Sequence, residues 1–196
     1  MQYEYQNLPY SSLSSGTLIT QNKRSKSIKI SLEDAAFSMM TNFNHIRPFS
    51  TTSLANIDAI NTKMIACGVR LLFVAEQDKV LLGLVTYNDI FGEKPLLYIQ
   101  EHGGKHEEIL ARDIMTPLER LEALQLADIL TARVGDIVET MKSSGRQHIL
   151  VCEDQPDGAH AITGLFSSTQ IEKRLGIKIE LSPRANTFAE LERALT

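Results

Sequence analysis

An internal repeat limits what this 196-residue chain can fold into. Ile57, Ile60, Asn61, Met64 and Gly68 recur as Val134, Ile137, Val138, Met141 and Gly145, each 77 positions further on. Spacing of i, i+3, i+4, i+7 marks one face of an amphipathic helix. The glycine falls where such a helix ends, at a position that tolerates a left-handed conformation. An apolar run follows in each copy, Leu71-Leu72-Phe73-Val74 and Ile149-Leu150-Val151, and reads as a buried strand. A turn comes next: Gln77-Asp78-Lys79 in the first copy, and a longer one with Asp154, Pro156, Asp157 and Gly158 in the second. A further strand spans Leu81 to Val85, and Ile162 to Phe166. Gly83 and Gly164 are 81 positions apart, so the four extra residues lie in the second hairpin turn, where lengthening costs little. A second helix then starts in each copy.

Each copy therefore reads helix–strand–strand–helix. A two-stranded hairpin is marginal alone, so the copies must support one another. The expected class is α/β of the α+β type: two βαββα-like repeats related by pseudo-two-fold symmetry, with short terminal extensions. The expected divisions are a tail at 1–32, a first repeat at 33–102, a second at 108–180 and a C-terminal helix at 181–196. The tail holds Ser11, Ser12, Ser14, Ser15 and Gly16, then Lys23, Arg24 and Lys26, a composition that buries little apolar surface. Between the repeats, Pro95 suits a first helical turn ahead of Leu96, Leu97, Tyr98 and Ile99, and Gly103-Gly104 ends that helix. Asn186 or Thr187 is placed to cap a last helix carrying Phe188, Leu191 and Leu195 on one face.

Beyond the repeats, the residues carry a family resemblance. Asp113-Ile114-Met115-Thr116-Pro117 looks like the motif that opens a CBS (cystathionine-β-synthase) domain, and Met39-Met40-Thr41 is its counterpart in the first copy. Gly83-Leu84-Val85-Thr86-Tyr87-Asn88-Asp89-Ile90 is close to that family's strand-end pattern of glycine, two apolar residues, threonine, two variable residues and aspartate. The second copy has Gly164-Leu165-Phe166-Ser167-Ser168-Thr169-Gln170-Ile171. Over roughly residues 33–180 the chain thus resembles a tandem CBS pair, or Bateman module. The resemblance implies a stand-alone regulatory module that is not an enzyme. Such a module senses AMP, ADP, ATP or S-adenosylmethionine, needs no cofactor, forms a homodimer and signals to an unknown regulated protein.

Within that resemblance, Thr86 at a strand end and Asp89 on the following first helical turn point at one spot. A carboxylate there accepts two ribose hydroxyls, and the threonine hydroxyl reaches a ribose oxygen or phosphate. The same two residues also suit an ordinary helix cap and first-turn acid. Tyr87, Asn88, Arg70, Ser167 and His148 complete the expected binding set. Asn88 stands where the family often has a basic residue, and Arg47, Arg70 and Arg146 are candidates to compensate. In the second copy Gln170 replaces the aspartate and Ser167 the threonine, which puts the second cleft in doubt. The alternative is a CBS-pair interaction module that binds no nucleotide.

The rest of the chemistry is sparse. His102 and His106 have a spacing that clamps zinc on a helix, but Gly103 and Gly104 between them oppose a helix there. No metal site is expected, and a metal-dependent hydrolase using these histidines is the weakest reading. The net charge of −4 at pH 7 leaves no basic excess for a phosphate backbone, so nucleic acid is not an expected partner. No run reaches the roughly 18 apolar residues of a membrane span. The sequence opens on no secretory pattern, and Cys67 and Cys152 form no disulfide framework. The cytoplasm is the expected location.

Overall fold

The computed structural model describes residues 30–76 and 80–181. Most of the expected tail (1–29), the Gln77-Asp78-Lys79 turn and the expected C-terminal helix from 182 onward lie outside the described residues. A 3-10 turn at Ala36–Met39 leads into β1 (Thr41–Asn42) and β2 (Ser50–Thr51). Then come α1 (Ile57–Cys67), β3 (Leu71–Ala75), β4 (Leu81–Thr86) and α2 (Tyr87–Phe91). The chain crosses to its second half through α3 (Lys94–His102) and α4 (Ala111–Ile114). There follow β5 (Thr116–Pro117), β6 (Ala123–Gln125), α5 (Leu126–Thr131), α6 (Val134–Ser144), β7 (His148–Asp154), β8 (His160–Ser167) and α7 (Ser168–Leu175).

The repeated helices form where the spacing puts them. The Asn56 side chain accepts a hydrogen bond from the Ala59 N–H and starts α1, which buries Ile57, Ile60 and Met64. Gly68 ends it with φ at 65°. Its counterpart α6 buries Val134, Ile137, Val138 and Met141 and ends at Gly145 with φ at 64°. The repeat extends to single hydrogen bonds. Tyr87 N–H donates to the Arg70 carbonyl and Ser168 N–H to the Gln147 carbonyl, both at 2.9 Å.

The two sheets are not made from one copy each. Their strand orders are β2-β3-β4-β5 and β1-β8-β7-β6. β5, from the second half, pairs Thr116 with Leu84 and Pro117 with Gly83 in the first hairpin's sheet. β1, from the first half, pairs Thr41 with Leu165 and Asn42 with Gly164 in the second's. Pro117 is tolerated because β5 is an edge strand. The segments just before these strands cross as well. Ala36 N–H donates to the Ala132 carbonyl at 2.9 Å, and Ala111 N–H to the Ala55 carbonyl at 2.7 Å.

This crossing explains the paired glycines. A Cβ at Gly83 would collide with the Thr116 carbonyl and lie 3.1 Å from both Met115 Sδ and Pro117 Cα. A Cβ at Gly164 would run into the Met40 side chain. At position 83 only glycine lets the exchanged strand lie flat on the hairpin, whereas at 164 the obstacle is a flexible side chain.

The core follows the same exchange. Ile57, Ile60, Met64, Leu72, Val74, Val85 and Ile90 bury one face of the first sheet together with Ile109, Ala111 and Ile114 from beyond α3. Val134, Ile137, Val138, Met141, Ile149, Val151, Phe166 and Ile171 do so for the second, with Ala36, Met39 and Met40 from the chain's start. Burying one large apolar side chain contributes about 1.5–3 kcal/mol. Each exchanged segment therefore holds several kcal/mol in the other half's core. A third cluster, Leu71, Phe73, Leu84 and Leu150, joins the two sheets. Phe43 meets the Phe73 ring edge-on there, centroids 5.6 Å apart.

Replacing Gly83 with Ala is expected to destabilise the protein by about 1–3 kcal/mol, the usual range for overpacking, because the colliding atom is backbone. Gly164→Ala is expected to cost less, since Met40 can move. Urea unfolding of the two variants checks the order, and an equal or reversed cost would show that β5 yields as readily as a side chain.

Candidate functional site

β4 ends at Thr86, and its first helical turn folds back on it. Asp89 Oδ2 accepts from both the Thr86 N–H and the Thr86 hydroxyl, each at 2.7 Å. Asp89 N–H points back to Thr86 Oγ1 at 3.4 Å, completing a capping box. Asp89 is 8% exposed. A buried carboxylate needs a charged or hydrogen-bonded partner, and Lys94 supplies one. Its Nζ lies 2.6 Å from Asp89 Oδ1. The same ammonium donates to the Ile114 carbonyl at 2.9 Å.

Local sequence brings Lys94 to that place. The helix α2 stops after five residues, and the N–H of Gly92 closes on the Asn88 carbonyl. Pro95 sits in the first turn of α3, so Lys94 stands at the helix start, turned back toward Asp89. Sequence reasoning missed Lys94. Its signal was a lysine five positions after the aspartate, with a helix-breaking glycine between and a helix-starting proline behind.

Arg70, Tyr87 and His148 gather at the same end of the sheets. The Arg70 guanidinium lies 5.6 Å from the centroid of the exposed Tyr87 ring. Tyr87 in turn packs on Phe91 at 4.5 Å. The Asn88 side chain is exposed. Leu71 pairs with Thr86 in the first hairpin, and His148 pairs with Ser167 in the second, so His148 takes the place of Leu71. It is partly buried. Burial, and then the positive charge of Arg70, lower its pKa from 6.5 to about 4. Arg70 of the first copy thus acts on His148 of the second.

The second copy is built differently. Ser167 precedes α7 without a side-chain cap hydrogen bond. Gln170 is exposed, and its Oε1 accepts from the Thr41 hydroxyl at 3.2 Å. Arg174 donates to the Ser38 carbonyl at 3.2 Å. Arg146 is paired with Glu122, and Arg47 is exposed. Among the described residues, the buried carboxylate belongs to the first copy alone.

No model of a known protein family matches the sequence, and no curated protein sequence matches it. Solved structures do match. An uncharacterized conserved protein from Pyrococcus horikoshii shares 18% identity, with 78% of this chain and 100% of that one covered, at a TM-score of 0.52. The CBS domain pair of MJ0100, in complex with 5'-methylthioadenosine and S-adenosyl-L-methionine, shares 14% identity over 74% of this chain and 97% of that one, at 0.49. CBSX2 in complex with AMP shares 16% over 71% and 94%, at 0.48. The chain shares the fold of the Pyrococcus horikoshii protein, and its two four-stranded sheets accord with the two repeats expected from the sequence. At these identities the likeness is one of fold.

Elsewhere in the chain, His102 ends α3 while His106 begins a separate 3-10 turn, with Gly103 and Gly104 between them at φ of 73° and 90°. The two histidines do not share a helix face. Among the described residues no group of three or more metal-ligating side chains gathers. No described helix is long and apolar enough to cross a membrane. Cys67 and Cys152 are unpaired, and burial raises the thiol pKa of Cys152.

The lowered pKa of His148 has a sign in stability. The folded histidine stays neutral down to about pH 4, whereas the unfolded one takes a proton near 6.5. Stability is therefore expected to fall as pH drops from 6.5 toward 4, then level off. The effect amounts to at most about 3 kcal/mol. His148→Leu, which copies Leu71, should remove this part of the acid sensitivity. Unfolding curves of both proteins across that range check it, and parallel losses would assign the sensitivity to other groups.

Proposed function

We propose that this chain is a regulatory module that binds an adenosine-type nucleotide, AMP, ADP, ATP or S-adenosylmethionine, in its first copy. It signals to a partner protein through a change of shape and does not turn the ligand over. The observation that carries this is the Asp89 carboxylate. It is buried at a strand end, beside the exchanged segment of the other half, and it already collects hydroxyl and ammonium donors. A ribose diol offers donors of the same kind. Thr86 and Asp89 are also the residues that carry the sequence resemblance.

The remaining groups support a nucleotide. Arg70 stands near with a charge suited to a phosphate, and neutral His148 adds a ring that both donates and accepts. The anion contact falls to these side chains, because α2 is short and the N–H of Asp89 is taken by Thr86. Asp89 is tied by three donor contacts and Lys94 by two acceptors, so neither stands poised as a nucleophile or base. A homodimer is part of the reading. Phe91, Leu96 and Leu97 are 54%, 60% and 50% exposed around α2 and α3, and side chains of this kind gain from cover.

A second reading has its own support. Both Asp89 oxygens are already satisfied within the chain, and Gln170 is neutral, as in a pair that binds a protein and no nucleotide.

Calorimetry against the four adenosine compounds tests the first reading. Asp89→Ala is expected to weaken the best ligand by about 1.5–3 kcal/mol, the scale of a hydrogen bond to a charged group. Unchanged affinity in the variant would remove Asp89 from the site, and no binding by the wild type would leave the second reading. Light scattering at micromolar concentration should show a dimer under either reading; monomer alone would exclude it.

A further inference from the structure

The nucleoside site proposed for the first copy contains its own competitor. Lys94 Nζ lies 2.6 Å from Asp89 Oδ1, the oxygen that the capping box leaves open. The two partners are not equally fixed. The Asp89 side chain is 11% exposed, with Oδ2 held by the Thr86 N–H and hydroxyl. The Lys94 side chain is 44% exposed on a flexible four-carbon stem. An incoming diol would approach the same open oxygen as the ammonium. Of the two, only the ammonium can withdraw into water without breaking the helix cap.

We propose that Lys94 competes with the ligand's ribose for Asp89, and that binding expels it. The inference rests on the nucleoside reading of the first copy and names the event that binding triggers there. When Lys94 leaves Asp89 it also gives up the Ile114 carbonyl, 2.9 Å away. Ile114 is the last residue of α4, two before β5, the strand that the second half lends to the first sheet. Ligand occupancy is thereby coupled to a tie between α3 and the exchanged segment.

The second copy serves as an internal comparison. With the 81-residue offset of the two glycines, the position matching Lys94 is Leu175, which packs against the core. The opposing segment is held there by Arg174 on the Ser38 carbonyl. Gln170 carries no charge to hold a cation. That tie is independent of any acid, so nothing that binds at Gln170 would release it in this way.

The test uses the full chain and adenosine, which carries the diol without a phosphate to attract the ammonium. Lys94→Met keeps the stem and removes the charge. It is expected to bind adenosine roughly two- to fivefold more tightly than the wild type in calorimetry. The second readout needs no variant in the binding step. In wild-type protein with 15N-labelled lysine, the Lys94 ammonium resonance, identified by its loss in Lys94→Met, should move to the position of solvated lysines at saturating adenosine. Adenosine binding that leaves this resonance in place overturns the proposal. So does a Lys94→Met variant that binds no more tightly than the wild type. Failure of both proteins to bind any adenosine compound would instead remove the nucleoside reading, and the competitor with it.

Discussion

The crossing of β1 and β5 into each other's sheets is the contact on which the rest of this fold depends. Each strand is two residues long. Each brings a preceding segment whose apolar side chains fill the core of the opposite half. Glycine is required at 83 because the backbone of β5 lies against the hairpin there, and at 164 a larger residue would displace the Met40 side chain. The Ile114 carbonyl reaches Lys94 because the segment has crossed over. The candidate site is thus a product of the exchange as much as of the motif at its centre.

Much of the architecture was legible from residue spacing. The helices α1 and α6 announce themselves through period and terminal glycines, and β3 through an unbroken apolar run that the structure buries on both faces. The exchange was not legible. A two-residue strand has no period to detect, and no propensity says which hairpin it will join. Gly83 and Gly164 were visible as repeated glycines, but their purpose depends on an atom more than thirty positions away in the first case and more than a hundred in the second.

The site was legible in outline and opaque in charge. Thr86 and Asp89 were singled out both as a ribose contact and as a helix cap, and the structure puts them in a capping box. The ion pair to Lys94 depends on α2 stopping at five residues, which helix propensity alone does not fix. The lowered pKa of His148 depends on burial and then on Arg70, from the other copy. Two copies with one backbone plan have in this way acquired different electrostatics: a buried, paired acid in the first, an exposed neutral amide in the second.

The exchange also imposes an order on the folding of the chain. Thr41 and Gln170, joined by a hydrogen bond, are 129 positions apart, and Ser38 and Arg174 are 136 apart. As the polypeptide leaves the ribosome, Met39 and Met40 emerge at the start of the first repeat, yet the strands and helices that cover them belong to the second. The first half cannot complete its own core either, because Ile109 and Ile114 arrive only after its hairpin has been synthesised. Closing loops of this length before their contacts reward it is slow. The two copies are therefore expected to mature together once both halves have been synthesised, as one cooperative unit in place of two successive domains.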